Sequence, residues 1–101
     1  MGCSVIFTPQ SQADLQSIVC FISKDSPARA SSFGHALIDT ALMLESSPEM
    51  GRVVPELDDS SVREIIHGSY RIIYEFYQSS DKIYVLRFWH AARGVPKIIE
   101  V

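Results

Sequence analysis

The sequence predicts an α+β domain: a short N-terminal strand, then an antiparallel helical hairpin packed on a three- to four-stranded antiparallel sheet. Three observations predict it. Two apolar stripes with helical spacing each begin at a Thr-Pro or Ser-Pro pair. Between Val62 and His90, three runs rich in Ile, Val, Tyr, Phe and Trp are separated by short polar breaks. The 101 residues suffice for one domain and not for two, and 47% apolar residues build its core without staples, so 1–101 reads as a single unit.

Cys3 to Phe7, β-branched and aromatic, reads as the first strand. Thr8 then offers an N-cap and Pro9 a first helical residue whose missing N–H is no loss. Leu15, Ile18, Val19 and Ile22 follow at i, i+3, i+4, i+7 along one helix face, and Cys20 is expected to pack there as a small hydrophobe. Ser26-Pro27 repeats the start signal, and Ala30, Phe33, Leu37, Ala41 and Leu44 mark the second stripe. Gly34 lowers helix propensity there by about 1 kcal/mol relative to Ala, which close packing on the first helix explains. The second helix should end near Ser46-Ser47-Pro48, because a residue before proline leaves helical geometry. The irregular stretch 49–61 follows, with Arg52 to Val54 a candidate extended piece and Glu56 to Asp59 an acidic, solvated loop.

Three strands close the domain: Val62 to His67, Tyr70 to Tyr77 and Lys82 to His90. Gly68-Ser69 is a two-residue hairpin turn and Ser79-Ser80-Asp81 a longer one. The tail 97–101 reads as a last short strand or as loose chain. Alternation puts Tyr70, Ile72, Tyr74 and Phe76 on the face toward the helices, joined by Tyr84, Leu86 and Phe88. The opposite face then carries Arg71, Ile73, Glu75, Tyr77, Ile83, Val85, Arg87 and Trp89. With the turn centred on Ser79-Ser80, Arg71 pairs opposite Trp89 and Ile73 opposite Arg87, leaving Glu75 diagonal to Arg87. A face this mixed is expected to be half-covered by something other than water, and more plausibly binds protein than performs catalysis.

Composition excludes several classes. Two cysteines, Cys3 and Cys20, are too few for a disulfide framework and lack metal-ligand spacing; Cys3, near the terminus, reads as an exposed thiol. The three histidines are scattered without a ligand pattern, so no metal or cofactor is expected. No run approaches the roughly 18–20 apolar residues of a spanning helix. The first residues have neither the cationic start nor the apolar run of a signal peptide, and Ile6 stands where an acylation signal needs Ser or Thr. A cytoplasmic protein is the expectation. The net charge of −3 argues against gripping polyanions with the whole surface.

The blocks VREIIHGSYRIIYEF and IYVLRFWHAAR, behind a strand and a helical hairpin that opens FTPQSQADL, resemble the RelE/ParE superfamily of type II toxins. The likeness covers nearly the whole chain. YRIIYE and VLRFWHAAR resemble the ParE branch, the plasmid-stabilisation toxins, in particular. The resemblance implies one of two activities. RelE-type members are ribosome-dependent mRNA endonucleases that use basic residues and often a Tyr or His as acid or base. ParE-type members poison DNA gyrase, stalling its cleaved-DNA intermediate. Both kinds are neutralised by a cognate antitoxin whose C-terminal segment wraps the toxin in a hetero-oligomer.

Residue by residue, Arg71 matches the arginine that the nucleases place on the scissile phosphate, and Arg93 lies where many have a second. The lysines of the preceding strand are missing, since it reads Val62-Arg63-Glu64-Ile65-Ile66, and no Tyr follows Tyr84. His90 is placed to act as acid or base, imidazole titrating near neutrality. The resemblance therefore implies a ParE-like gyrase poison without catalytic residues. Two alternatives stay open: a RelE-like endonuclease on ribosome-bound mRNA using Arg71, His90 and Arg93, and an inactive member that only binds its antitoxin. Arg63, Arg71, Arg87, Trp89, His90 and Arg93 are the candidates for contact with target or antitoxin. Structural roles compete at each: Arg71 with Glu75 or an acidic loop residue, Arg63–Glu64 and Arg87–Glu75 as ion pairs, Trp89 and Tyr84 as packing, and His67 and His90 as hydrogen-bonded structural residues.

Overall fold

A computed structural model describes residues 2–98. The chain runs β1 (Ser4–Phe7), α1 (Pro9–Ser23), α2 (Pro27–Leu42), a 3-10 turn (Met43–Glu45), β2 (Arg52–Val53), β3 (Val62–His67), β4 (Tyr70–Tyr77), β5 (Lys82–His90) and a 3-10 turn (Ala91–Arg93). Both helix starts are capped as the sequence predicts. The Ser11 N–H donates to the Thr8 hydroxyl at 3.2 Å and the Arg29 N–H to the Ser26 hydroxyl at 3.2 Å, with proline in the first turn of each helix. A Cβ at Gly34 would lie 2.9 Å from Val19 Cγ2, so the two helices pack closely at this glycine. Gly68 takes the left-handed φ of 59° that the β3–β4 turn requires.

The sheet has five strands in the order β1-β5-β4-β3-β2, and it is mixed, not purely antiparallel. β1 lies parallel to β5, with Ser4 opposite Lys82 and Phe7 opposite Val85, because α1 and α2 carry the chain away before it returns. β2 adds a two-residue rung on β3. Arg71 does pair with Trp89 and Ile73 with Arg87.

The face assignment along β5 needs correcting. The register slips after Ile73–Arg87, so that Tyr74 faces Val85 and Leu86 is the extra residue of a bulge. Thr8 holds the irregularity, its hydroxyl donating to the Val85 carbonyl at 2.8 Å. Past the bulge the alternation changes phase. Ile83 and Val85 therefore sit toward the helices, in the clusters with Leu44, Tyr74, Leu37 and Ile72, while Leu86 packs on the other face and Tyr84 meets Tyr77 edge-on. Phe88, beyond the bulge, packs toward the helices as expected.

Both cysteines differ from expectation. Cys20 is exposed, lying off the Leu15–Ile22 stripe, and Cys3 is half-buried against Leu44, Tyr74 and Ile83. The second face of the sheet is covered by the chain itself. Val54 and Leu57 from the β2–β3 loop and Ile98 from the tail close over Val62, Ile73 and Trp89 as a second small core. The tail forms no strand up to residue 98, and its last three residues lie outside those described.

Candidate functional site

Two regions hold the sequence candidates: the covered sheet face with its arginines, and a groove between the helices and the β3–β4 turn.

On the covered face every arginine side chain has an intramolecular contact. Arg71, 8% exposed, donates through Nη1 and Nη2 to the two carboxylate oxygens of Glu56 at 2.9 and 2.7 Å, and through Nε to Glu64. Glu64 is fully buried on β3 and takes Arg52 Nε on its other oxygen at 2.7 Å. The bidentate pair raises the Arg71 pKa and holds the Glu56 carboxyl below its ordinary value, the Arg71 hydrogen bond being the larger cause. Two expectations are corrected here. Arg63 does not pair with Glu64; it donates to the Gly51 carbonyl at 2.8 Å and approaches Glu49 at 3.8 Å. Glu56 is the partner of Arg71 and not part of a merely solvated loop.

Arg87, its side chain 2% exposed, is likewise not paired with Glu75. Its Nε and Nη2 donate to Asp14 of α1 at 2.7 and 2.9 Å, and Nη1 donates to the Lys97 carbonyl at 2.7 Å. Asp14 also accepts the Phe88 N–H at 3.1 Å, where β5 runs past the end of β1 and its edge lacks a strand neighbour. Glu75 accepts from Ser61 and Tyr77 instead. Trp89 is buried, with the Arg87 and Arg93 guanidinium groups 4.9 and 3.8 Å from its ring centroid, and its Nε1–H donates to the Gly94 carbonyl at 3.2 Å. Sequence reasoning missed Asp14, while for Arg71 the acidic loop residue offered as one of its two partners is the one found, and it is Glu56; what singles Glu56 out in that loop is its place between Val54 and Leu57.

His90 lies on the other side of the sheet. It sits edge-on to Tyr70 at 4.9 Å, and its Nδ1 accepts the Ala92 N–H at 3.0 Å, which puts the proton of the neutral ring on Nε2. His67 contacts Thr40 through Nδ1 at 3.3 Å, so both histidines are hydrogen-bonded as expected. Phe33 links them, 5.7 Å from His67 and 5.6 Å from Tyr70. These aromatics border a groove of about 710 Å³ lined by Ile22, Phe33, Ala36, Tyr70 and His90, with Arg29 and Ser32 at its rim. Burial pushes the Tyr70 hydroxyl pKa up. Beside the groove, Phe21 is 71% exposed.

The three nuclease candidates therefore do not converge on one site: His90 and Arg93, the latter against Trp89, line one small cleft, while Arg71 is on the covered face with Glu56 and Glu64. Among the described residues no group of His, Cys, Asp or Glu is arranged to hold a metal ion, and no helix is long and apolar enough to cross a membrane.

The ParE toxin family of type II toxin–antitoxin systems (parDE) matches residues 5–95. Three solved structures share the fold. A chromosomal ParDE toxin–antitoxin system from P. aeruginosa is 18% identical with a TM-score of 0.71, covering 87% of this chain and 95% of its own. The RelBE2 toxin–antitoxin complex from Mycobacterium tuberculosis is 21% identical with a TM-score of 0.68, covering 89% and 99%. A double arginine mutant of the E. coli toxin RelE in the free state is 15% identical with a TM-score of 0.65, covering 93% and 88%. No curated protein matches the chain.

Proposed function

The chain belongs to the ParE toxin family of type II toxin–antitoxin systems, and on that premise we propose that it arrests growth by binding and poisoning DNA gyrase, without bond-making chemistry of its own. The observation that carries this reading is the state of Arg71. A phosphate-stabilising arginine has to present its fork to the substrate, and this fork is filled by Glu56 and backed by Glu64 inside the protein. His90, the one candidate for proton transfer, stands on the opposite side of the sheet. With a net charge of −3, the chain also lacks the general attraction that docking into ribosomal RNA draws on.

The restraining partner in this reading is a cognate antitoxin. The groove at Ile22, Phe33, Tyr70 and His90, with Phe21 exposed at its margin, supplies an apolar seat for an amphipathic segment. Tyr70→Ala empties its floor and is expected to weaken the complex with the protein encoded beside it.

The test is a supercoiling reaction with purified gyrase. Stoichiometric toxin should block supercoiling and accumulate cleaved DNA, and induction in cells should raise the DNA-damage response before translation falls. Unimpaired supercoiling, together with cleavage of ribosome-bound mRNA, would instead establish the RelE-like reading.

A further inference from the structure

The Arg71 fork is built like an anion site that the chain has filled with its own carboxylate. Glu64, fully buried, takes Nε of Arg71 and, on its other oxygen, Arg52. The guanidinium is thus oriented from behind whether or not Glu56 is present. Its two terminal nitrogens both donate to Glu56. Glu56 is the outermost member, its side chain 31% exposed, in a loop whose residues 55–60 are exposed apart from Leu57. Leu57, lodged against the cluster of Val54, Val62, Ile73 and Trp89, pegs that loop down. Taking Glu56 away leaves two guanidinium groups against one carboxylate around a preoriented fork.

We propose that Glu56 is an intramolecular stand-in for a carboxylate of a protein partner, and that a segment of that partner bearing one carboxylate among apolar residues displaces the Glu56 loop and takes its place on Arg71. The inference rests on the reading that the chain acts through protein contacts. Three features select a protein carboxylate over nucleic-acid phosphate. The fork already holds a planar carboxylate in bidentate geometry. Asp58 and Asp59 within the loop, and Glu75, which shares the Ser61 hydroxyl with Asp59, add to the chain's charge of −3 and repel a continuous polyanion. Ile66, the cross-strand neighbour of Arg71, is 52% exposed and puts apolar surface beside the charge, as protein interfaces do. Exchanging one carboxylate for another also keeps the buried arginine paired at both ends of the exchange, which avoids the penalty of an uncompensated buried charge.

The experiment titrates the full chain into a fluorescent decapeptide that carries one glutamate among apolar residues and into a fluorescent RNA decanucleotide, read by anisotropy. If Glu56 fills the fork about nine-tenths of the time, Glu56→Gln should tighten peptide binding about tenfold. The gain should vanish when Glu56→Gln is combined with Arg71→Met and Glu64→Leu, which remove the buried pair as a unit. Leu57→Ser loosens the peg with every charge intact, and a gain of several-fold is expected from it by the same occupancy argument; it decides the matter if Glu56→Gln does not fold. No gain in either variant overturns the proposal. An equal or larger gain for RNA overturns the assignment to a protein carboxylate. Gyrase inhibition by the unaltered chain is scored separately, so its absence would strike the parent reading and not the exchange on Arg71.

Discussion

Replacing Arg71 by methionine tests whether the arginine is structural in the free protein. Methionine keeps the unbranched apolar stem and removes the guanidinium, leaving Glu64 buried with Arg52 as its one remaining cation. Removing one member of a buried pair typically destabilises by about 3–5 kcal/mol. Glu56 is partly exposed and returns to water, and Arg52 still neutralises Glu64, so the low end applies, about 3 kcal/mol. For a domain of this size that lowers the urea midpoint by roughly 2 M at a slope near 1.5 kcal/mol/M. It lowers the melting temperature by about 12–24 °C.

Trp89 is the single tryptophan and is buried 7 residues from the tail's Pro96, itself buried, so its emission reports unfolding of this face directly. Adding Glu64→Leu should recover most of the loss, because it removes a buried carboxylate left with only the largely exposed Arg52 as partner. A single Arg71→Met variant within about 0.5 kcal/mol of the parent would refute the reasoning: the ion pairs would then contribute nothing measurable to the fold.

Three further outcomes follow from the same contacts. Asp14→Asn takes the carboxylate from a guanidinium that is 2% exposed and is expected to destabilise by about 3 kcal/mol, read by thermal melting, with faster amide exchange around Lys97, whose carbonyl Arg87 also holds. Gly34→Ala places a methyl 2.9 Å from Val19 Cγ2, so overpacking of about 1–3 kcal/mol should outweigh or cancel the roughly 1 kcal/mol gained in helix propensity, and a melt above that of the parent would contradict the close approach. Stability should fall in acid. Glu56 is held below its ordinary 4.5 by Arg71, and Asp59 below 3.8 by the Ser61 hydroxyl and N–H, so the unfolded chain binds more protons and the contribution, complete above these ordinary values, is lost as pH drops through the lowered ones. Melting temperatures across roughly pH 2–6 should show that slope, shallower in Glu56→Gln.

The fold was legible where local chemistry and tertiary packing agree. Thr8-Pro9 and Ser26-Pro27 cap and start both helices as expected, and the Tyr70–Tyr77 alternation sorts β4 correctly because that strand is central and regular. β5 misled at one residue. Nothing in Lys82–His90 itself announces a bulge at Leu86; it is held by the Thr8 hydroxyl, 77 positions away from Val85, and by the short reach of β1. A single extra residue was enough to exchange the faces of Ile83, Tyr84 and Val85. The parallel pairing of β1 was hidden for a similar reason: a strand's own sequence does not say which edge receives it.

The site was harder to read because charge spacing on a strand is silent about distant partners. Arg71 and Arg87 looked like a recurring cationic display, yet their carboxylates come from 15 and 73 positions away. One physical signal was available. A face that also carries Ile73 and Trp89 is too apolar to stay in water, and arginine buried among such residues requires a carboxylate within reach. The only question is then which segment brings it. Glu56 sits between buried Val54 and half-buried Leu57, and Asp14 one position before Leu15 of the core stripe; both are carried inward by neighbours with hydrophobic reasons to be there. Burial of the neighbours, and not proximity in sequence, chose the ion-pair partners. The same logic bears on the proposed recognition: the arginines are drawn into the fold by the surface they share with Trp89, which leaves the groove at Tyr70 and the exchange on Arg71 as the proposed contact surfaces.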